Sequence, residues 1–241
     1  MIHPAPALGR SNALHRKQDI RHEHPSGASL IFNLQPSVFS LQSSTMNDPI
    51  PTTAVIFDFD GTLTEHYLDF DAIRRDIGLG PGPILEAVER LDPAARVRAT
   101  EILQAHEQEA AHNVSLRADA LDVLARLRSN GLALAILTRN ARSTLNIVMD
   151  RFGLAVDAIV TREDGVIKPA PDGVLTLCRH IGVPPRQSWV VGDYLFDIQA
   201  GRAAGAKTVL LVEDGQRPEY AHLADHVVSR LTDLYPILGL Q

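Results

Sequence analysis

The apolar positions fall into two kinds of run that alternate along the chain. From Thr53 the sequence reads Ala54-Val55-Ile56-Phe57 and stops at Asp58. That run is too short for a helix and β-branched at its centre, which predicts a strand of a parallel sheet buried on both faces. Comparable runs follow at 132–137, 158–160, 189–191, 208–212 and, more weakly, 226–228. Between them apolar residues recur at helical spacing, and each pattern ends at a glycine. Leu121, Leu124 and Leu127 precede Gly131; Leu145, Val148 and Phe152 precede Gly153; Val174, Leu177, Cys178 and Ile181 precede Gly182; residues 198–204 precede Gly205. Regular alternation of strand and helix predicts an α/β fold, a doubly wound parallel sheet of the Rossmann-like kind.

One stretch breaks the alternation. Between Thr64 and about Val114 there are three helical patterns and no strand: 70–77, 84–91 and 93–112, the last with Asp92 as N-cap and Pro93 in the first helical position. An all-helical insert that leaves from the carboxyl end of the first strand stands where open α/β sheets bind their ligands, and so is placed as a lid. The organisation expected is a Rossmann-like core of residues 51–64 and 115–241, a small helical cap over 65–114, and an N-terminal extension over 1–50. The extension is rich in Ser, His, Pro and Asn without sustained periodicity and reads as disordered. It lacks an apolar stretch behind a basic start and has few arginines, so neither a secretory signal nor a transit peptide is expected, and a second reading has translation starting at Met46.

Composition narrows the class of function. With 45% apolar and 22% charged residues in 241, the chain is that of a folded globular protein with one dominant core. No apolar run approaches the roughly 20 residues of a membrane span. Net charge is −6, and beyond residue 45 the balance is 19 basic against 27 acidic side chains. With only three lysines, Lys17, Lys168 and Lys207, a nucleic-acid surface is not expected. The single cysteine, Cys178, excludes an internal disulfide and a multi-thiolate metal site, and fits a reducing, cytoplasmic setting. No repeat or heptad bears on the oligomeric state.

The candidate chemistry gathers at the carboxyl ends of the predicted strands. Asp58 and Asp60 flank Phe59 and precede Gly61 and Thr62. Residues two apart on a strand share a face, so both carboxylates can enter one crevice while Gly61 allows a sharp turn; an ordinary Asp-Gly turn is the plain alternative. Thr138 closes the second strand, Lys168-Pro169 follows the third, and Gly192-Asp193 with Asp197 follows the fourth. Each has a bland reading too: a strand end, an exposed turn, a helix-capping aspartate. Lys207 opens a strand at the opposite end of the sheet, which leaves Lys168 as the one lysine of the folded part available to a site there.

Four ordered motifs, DFDGT at 58–62, Thr138 in ILTRN, Lys168 in IKPAPD and GDYLFD at 192–197, make residues 54–212 resemble the haloacid dehalogenase superfamily of phosphohydrolases, and the phosphoglycolate phosphatase-like group within it. The resemblance implies that Asp58 is a nucleophile that forms an aspartyl-phosphate, and that Asp60 is the general acid and then base. It implies that Thr138 and Lys168 hold the phosphoryl group, with Arg139 and Asn140 as further substrate contacts. Mg2+ would be bound by Asp58, the Asp60 carbonyl and Asp193, with Asp197 in support or as an alternative ligand. Convergence of four carboxylates on one lysine calls for a divalent cation in any case, and all-oxygen ligands favour Mg2+. The second aspartate separates the chain from halide-displacing relatives. The lack of lysine between Asp58 and Lys168 separates it from phosphonate-cleaving ones. Sugar-phosphate mutases share the aspartate pair and stay open as an alternative, as does a non-catalytic binding module. The expected substrate is a small phosphorylated metabolite. Among the cap residues His66, Tyr67, Arg74, Arg75, Arg96, Arg98, His106 and His112, most are expected on solvated helix faces and the rest as selectors of the leaving group.

Overall fold

The computed structural model describes residues 52–240; the extension over 1–50, with Met46, lies outside the described residues. Six strands form one parallel sheet: β1 (Ala54–Phe57), β2 (Ala133–Leu137), β3 (Ala158–Val160), β4 (Ser188–Gly192), β5 (Lys207–Leu211) and β6 (His226–Val228), in the order β3-β2-β1-β4-β5-β6. The α/β, doubly wound expectation holds. Strands β1 to β3 wind to one side and β4 to β6 to the other, so the order reverses between β1 and β4. Phe57 is in register with both Ile136 of β2 and Val191 of β4. The residues just past those three strands therefore emerge side by side at the switch point, where such sheets bind ligands.

Strand alternation divides the core between the two faces of the sheet. Val55, Phe57, Leu134, Ile136, Trp189 and Val191 point to one face. There they pack on α4 (Ala120–Ser129), α5 (Arg142–Phe152) and the short α8 (Leu234–Ile237) through Leu127, Leu145 and Leu234. Ile56, Ala135, Leu137 and Val190 point to the other, against Val174, Leu177 and Cys178 of α6 (Asp172–Ile181) and Ala200 of α7 (Leu195–Ala204). Gly173 permits close packing of α6: a Cβ there would lie 2.4 Å from Leu137 Cδ1.

The segment between β1 and α4 holds three helices and no named strand: α1 (Phe70–Ile77), α2 (Ile84–Glu89) and α3 (Pro93–Asn113). Asp69 caps α1 by accepting from Ala72 N at 2.8 Å, and Asp92 caps α3 by accepting from Ala94 N and Ala95 N at 3.0 Å. Ile73, Ile84, Val88, Ala99 and Leu103 form a small hydrophobic cluster of their own. Further along α3, Ala111 joins the main core and the helix packs on α5. The two connections of the insert run side by side: Thr64 and Leu116 form an isolated antiparallel bridge, Glu65 N donates to Ser115 O at 2.9 Å and Arg117 N to Leu63 O at 3.0 Å.

Candidate active site

The loop after β1 is fixed from both sides. Asp58 N donates to Val191 O of β4 at 2.8 Å, and the amides of Thr62, Leu63 and Thr64 all donate to the Phe59 carbonyl, curling the chain back over the sheet edge. Gly61 sits at φ 72°, and a Cβ on it would lie 2.3 Å from His66 Cε1 and 2.6 Å from Asp193 Oδ2. Both conformation and space demand glycine at this turn.

Lys168, almost wholly buried, reaches in from the loop after β3. Its Nζ lies 2.6 Å from Asp58 Oδ1 and 2.6 Å from Asp197 Oδ1. Asp197 also accepts from Tyr194 N through Oδ2 at 3.0 Å, so both of its oxygens are engaged and it holds the lysine against Asp58. Gly192 makes room for this: a Cβ there would stand 2.1 Å from Asp197 Cγ. Asp193 follows at the end of β4, with Thr62 Oγ1 donating to its Oδ1 at 3.3 Å and His66 Nε2 3.6 Å from its Oδ2. Carboxylate oxygens of Asp58, Asp193 and Asp197 lie within 4.8 Å of one another.

Such crowding is written in the acidities. Burial, with the charges of Asp58 and Asp197 added, pushes Asp193 up to about 8. Burial and Asp58 push Asp197 to about 6 against the opposing Lys168. Burial raises Asp58 as well, with Lys168 pulling the other way, and the two carboxylates raise Lys168 despite its own burial. Asp60 is raised to about 6, chiefly by burial, while a bond from Asn140 Nδ2 to its Oδ2 at 2.6 Å pulls it down. A carboxyl that titrates near neutrality can both give and take a proton.

Thr138 stands buried at the end of β2, its Oγ1 accepting from Asn140 N at 3.1 Å. Asn140 thus joins Thr138 to Asp60. Arg139 reaches from the loop after β2 to the insert, where its Nη2 donates to both oxygens of Glu86. From the insert, Tyr67 and Glu107 line a small cavity together with Asp60, Asn140 and Thr144. Glu107 is buried and paired with Arg162. Other insert residues are occupied elsewhere: Arg74 with Asp71 and the Gly82 carbonyl, Arg96 with the Glu89 and Leu91 carbonyls, His106 with Asp76 at 2.7 Å. Arg75, Arg98 and His112 are exposed. Sequence reasoning did not reach Thr62, Glu86, Glu107 or Arg162. Thr62 stood inside the first motif and was within reach, whereas the other three carry no local signal.

Known proteins resemble the chain over most of its length. The family model described as haloacid dehalogenase-like hydrolase matches residues 52–205. A haloacid dehalogenase-like hydrolase domain-containing protein of Arabidopsis thaliana is 30% identical over 197 residues, 76% of this chain and 80% of that one. Pyrophosphatase PpaX of Bacillus pumilus is 30% identical over 218 residues, 80% of this chain and 99% of its own. A hydrolase from Pseudomonas syringae of known crystal structure shares the fold with a TM-score of 0.69 at 24% identity, over 78% of this chain and 98% of that one. Among the described residues no helix is long and apolar enough to cross a membrane.

Proposed function

This chain belongs to the haloacid dehalogenase-like hydrolases, and on that premise we propose that it is a Mg2+-dependent phosphatase that hydrolyses a small phosphate monoester through an aspartyl-phosphate on Asp58. The observation that carries the reading is the Lys168 ammonium held between Asp58 and Asp197 at 2.6 Å from each, beside Asp193 and Asp60. One carboxylate oxygen of Asp58 is fixed by the lysine, which sets the other toward a phosphorus atom in the crevice and offsets the charge of the incoming phosphoryl group. Asp60, protonated below about 6 and held by Asn140, gives its proton to the leaving oxygen as the Asp58–phosphorus bond forms and the ester bond breaks. It then takes a proton from the water whose oxygen displaces Asp58 from phosphorus. Thr138 contributes a hydroxyl to the phosphoryl oxygens. The insert over 65–114 acts as the cap, and the setting is the cytoplasm.

The residues present fit the metal. Asp58 and Asp193, whose carboxylate oxygens lie close together, would hold it with the Asp60 carbonyl as a third ligand, while Asp197 belongs to the same carboxylate group and is tied to Lys168. All donors are hard oxygens, and burial first and mutual repulsion second raise Asp193 and Asp197, a cost that a divalent cation would relieve. Mg2+ would supply charge neutralisation and orientation of the phosphoryl group.

The test is a phosphate-release screen of the purified protein over metabolite monoesters, an aryl phosphate and pyrophosphate, with Mg2+ and with chelator, using Asp58→Asn as the blank. Mg2+-dependent turnover of one or more monoesters supports the reading. Release confined to pyrophosphate moves the substrate to anhydrides. No release above the blank removes the phosphatase and brings forward the mutase or the binding module.

A further inference from the structure

Arg139 is one residue beyond Thr138, and its guanidinium touches three separate segments. Its Nη1 donates to the Lys168 carbonyl at 2.6 Å, its Nη2 lies 2.9 and 2.8 Å from the two carboxylate oxygens of Glu86 on α2, and its Cζ sits 4.8 Å from the ring centre of Phe196. Although partial burial works against it, the guanidinium holds the Glu86 carboxyl below its usual value. The pair is therefore ionised and electrically cancelled at the edge of the crevice.

Two neighbouring cations are paired with carboxylates, and a third donates to a neutral carbonyl. Lys168 lies between Asp58 and Asp197, Arg162 pairs with Glu107, and Arg117 donates to the Gly61 carbonyl at 3.4 Å. The phosphoryl group of a substrate takes up Lys168. A second anion on the same substrate then meets aspartates and a guanidinium whose charge is already matched, so it loses hydration without gaining a partner.

We propose that Glu86 is a specificity-determining residue: by cancelling the charge of Arg139 it makes the site select phosphate esters whose leaving group carries no second negative charge. Glu86 acts through Arg139 and does not itself need to touch the substrate. This inference rests on the phosphatase reading above.

The experiment compares wild type, Glu86→Asp and Glu86→Gln on 2-hydroxyethyl phosphate and 2-phosphoglycolate, esters of similar size whose leaving groups differ by one carboxylate, with an aryl phosphate as reference. Wild type and Glu86→Asp favour the hydroxyethyl ester. In Glu86→Gln the glycolate-to-hydroxyethyl ratio of kcat/KM rises by roughly tenfold, the size expected for uncovering one partly screened charge. A merely structural loss lowers both esters alike and leaves the ratio in place. Where an ester is not turned over, the two esters are compared instead by their inhibition constants against the aryl ester, and the glycolate is expected to gain in Glu86→Gln relative to the hydroxyethyl ester. An unchanged ratio in Glu86→Gln, or a wild type that prefers phosphoglycolate, overturns the inference. Failure of the phosphatase reading looks different, since no Asp58-dependent release then occurs even from the aryl ester, and the inference falls with it.

Discussion

Ionising the buried carboxylates of the metal-free protein costs stability, so the protein is expected to weaken as pH rises from about 5 to about 8. Asp60 shows the size of the effect. Its folded value of about 6 stands above the ordinary 3.8, chiefly through burial. The folded state thus binds this proton more tightly than the unfolded chain, and stability is lost as pH climbs past the unfolded value toward and beyond the folded one. Between about pH 5 and about pH 8 this one group withdraws roughly 1 kcal/mol. Asp197 at about 6 and Asp193 at about 8 act in the same direction. The carboxyls held below their usual values, such as Asp92 and Asp164, lose their contributions only in more acid solution, outside this window. The assay is urea unfolding at a series of pH values in chelator and again with Mg2+. In chelator the midpoint falls steadily across the window. Mg2+ binds the ionised carboxylates, so its stabilisation is larger at the alkaline end, about 2.7 kcal/mol when it is present at a hundred times its Kd. Stability in chelator that stays level or rises from pH 5 to 8, or a Mg2+ gain that ignores pH, would refute the clustering of these carboxylates.

Three substitutions probe separate parts of the same arrangement. Lys168→Met leaves Asp58 and Asp197 buried without their cation; thermal or urea unfolding in chelator should show a loss of about 3–5 kcal/mol, partly recovered in mild acid where the carboxylates protonate. Gly192→Ala places a Cβ on Asp197 Cγ and must displace the anchor of Lys168, so phosphate release should fall at least about a hundredfold while circular dichroism stays that of the folded protein. Asn140→Ala removes the bond to Asp60 Oδ2, and steady-state kinetics should show kcat lowered by roughly ten- to a hundredfold with KM little changed.

The sheet was legible because its signal is local. Short apolar runs ending in polar residues, separated by helical patterns that stop at glycine, mark β1 to β5 to within a residue of their ends, and even the weak run at 226–228 forms β6. Asp58, Asp60, Thr138, Lys168 and Asp193 could be nominated because each closes or comes after a strand, and parallel strands deliver the residues at their carboxyl ends to one edge of the sheet. Where a long side chain goes from such a position is a different matter. Arg139 pairs with Glu86, 53 residues away in sequence, and Arg162 finds Glu107 across 55. Both pairings depend on how the helical insert lies on the core, which no periodicity encodes. Asn140 could be placed in the loop after β2, but its bond to Asp60 depends on the register of β1 with β2 and could only be read once that register was known.

The most direct test of the account is the initial rate of phosphate release by wild type and by Asp58→Asn on the best monoester of the screen, with saturating Mg2+ and with chelator. The rate is expected to need both Mg2+ and Asp58, with the acid-quenched wild type carrying one phosphoryl group on the peptide that contains Asp58. Undiminished release by Asp58→Asn would contradict it.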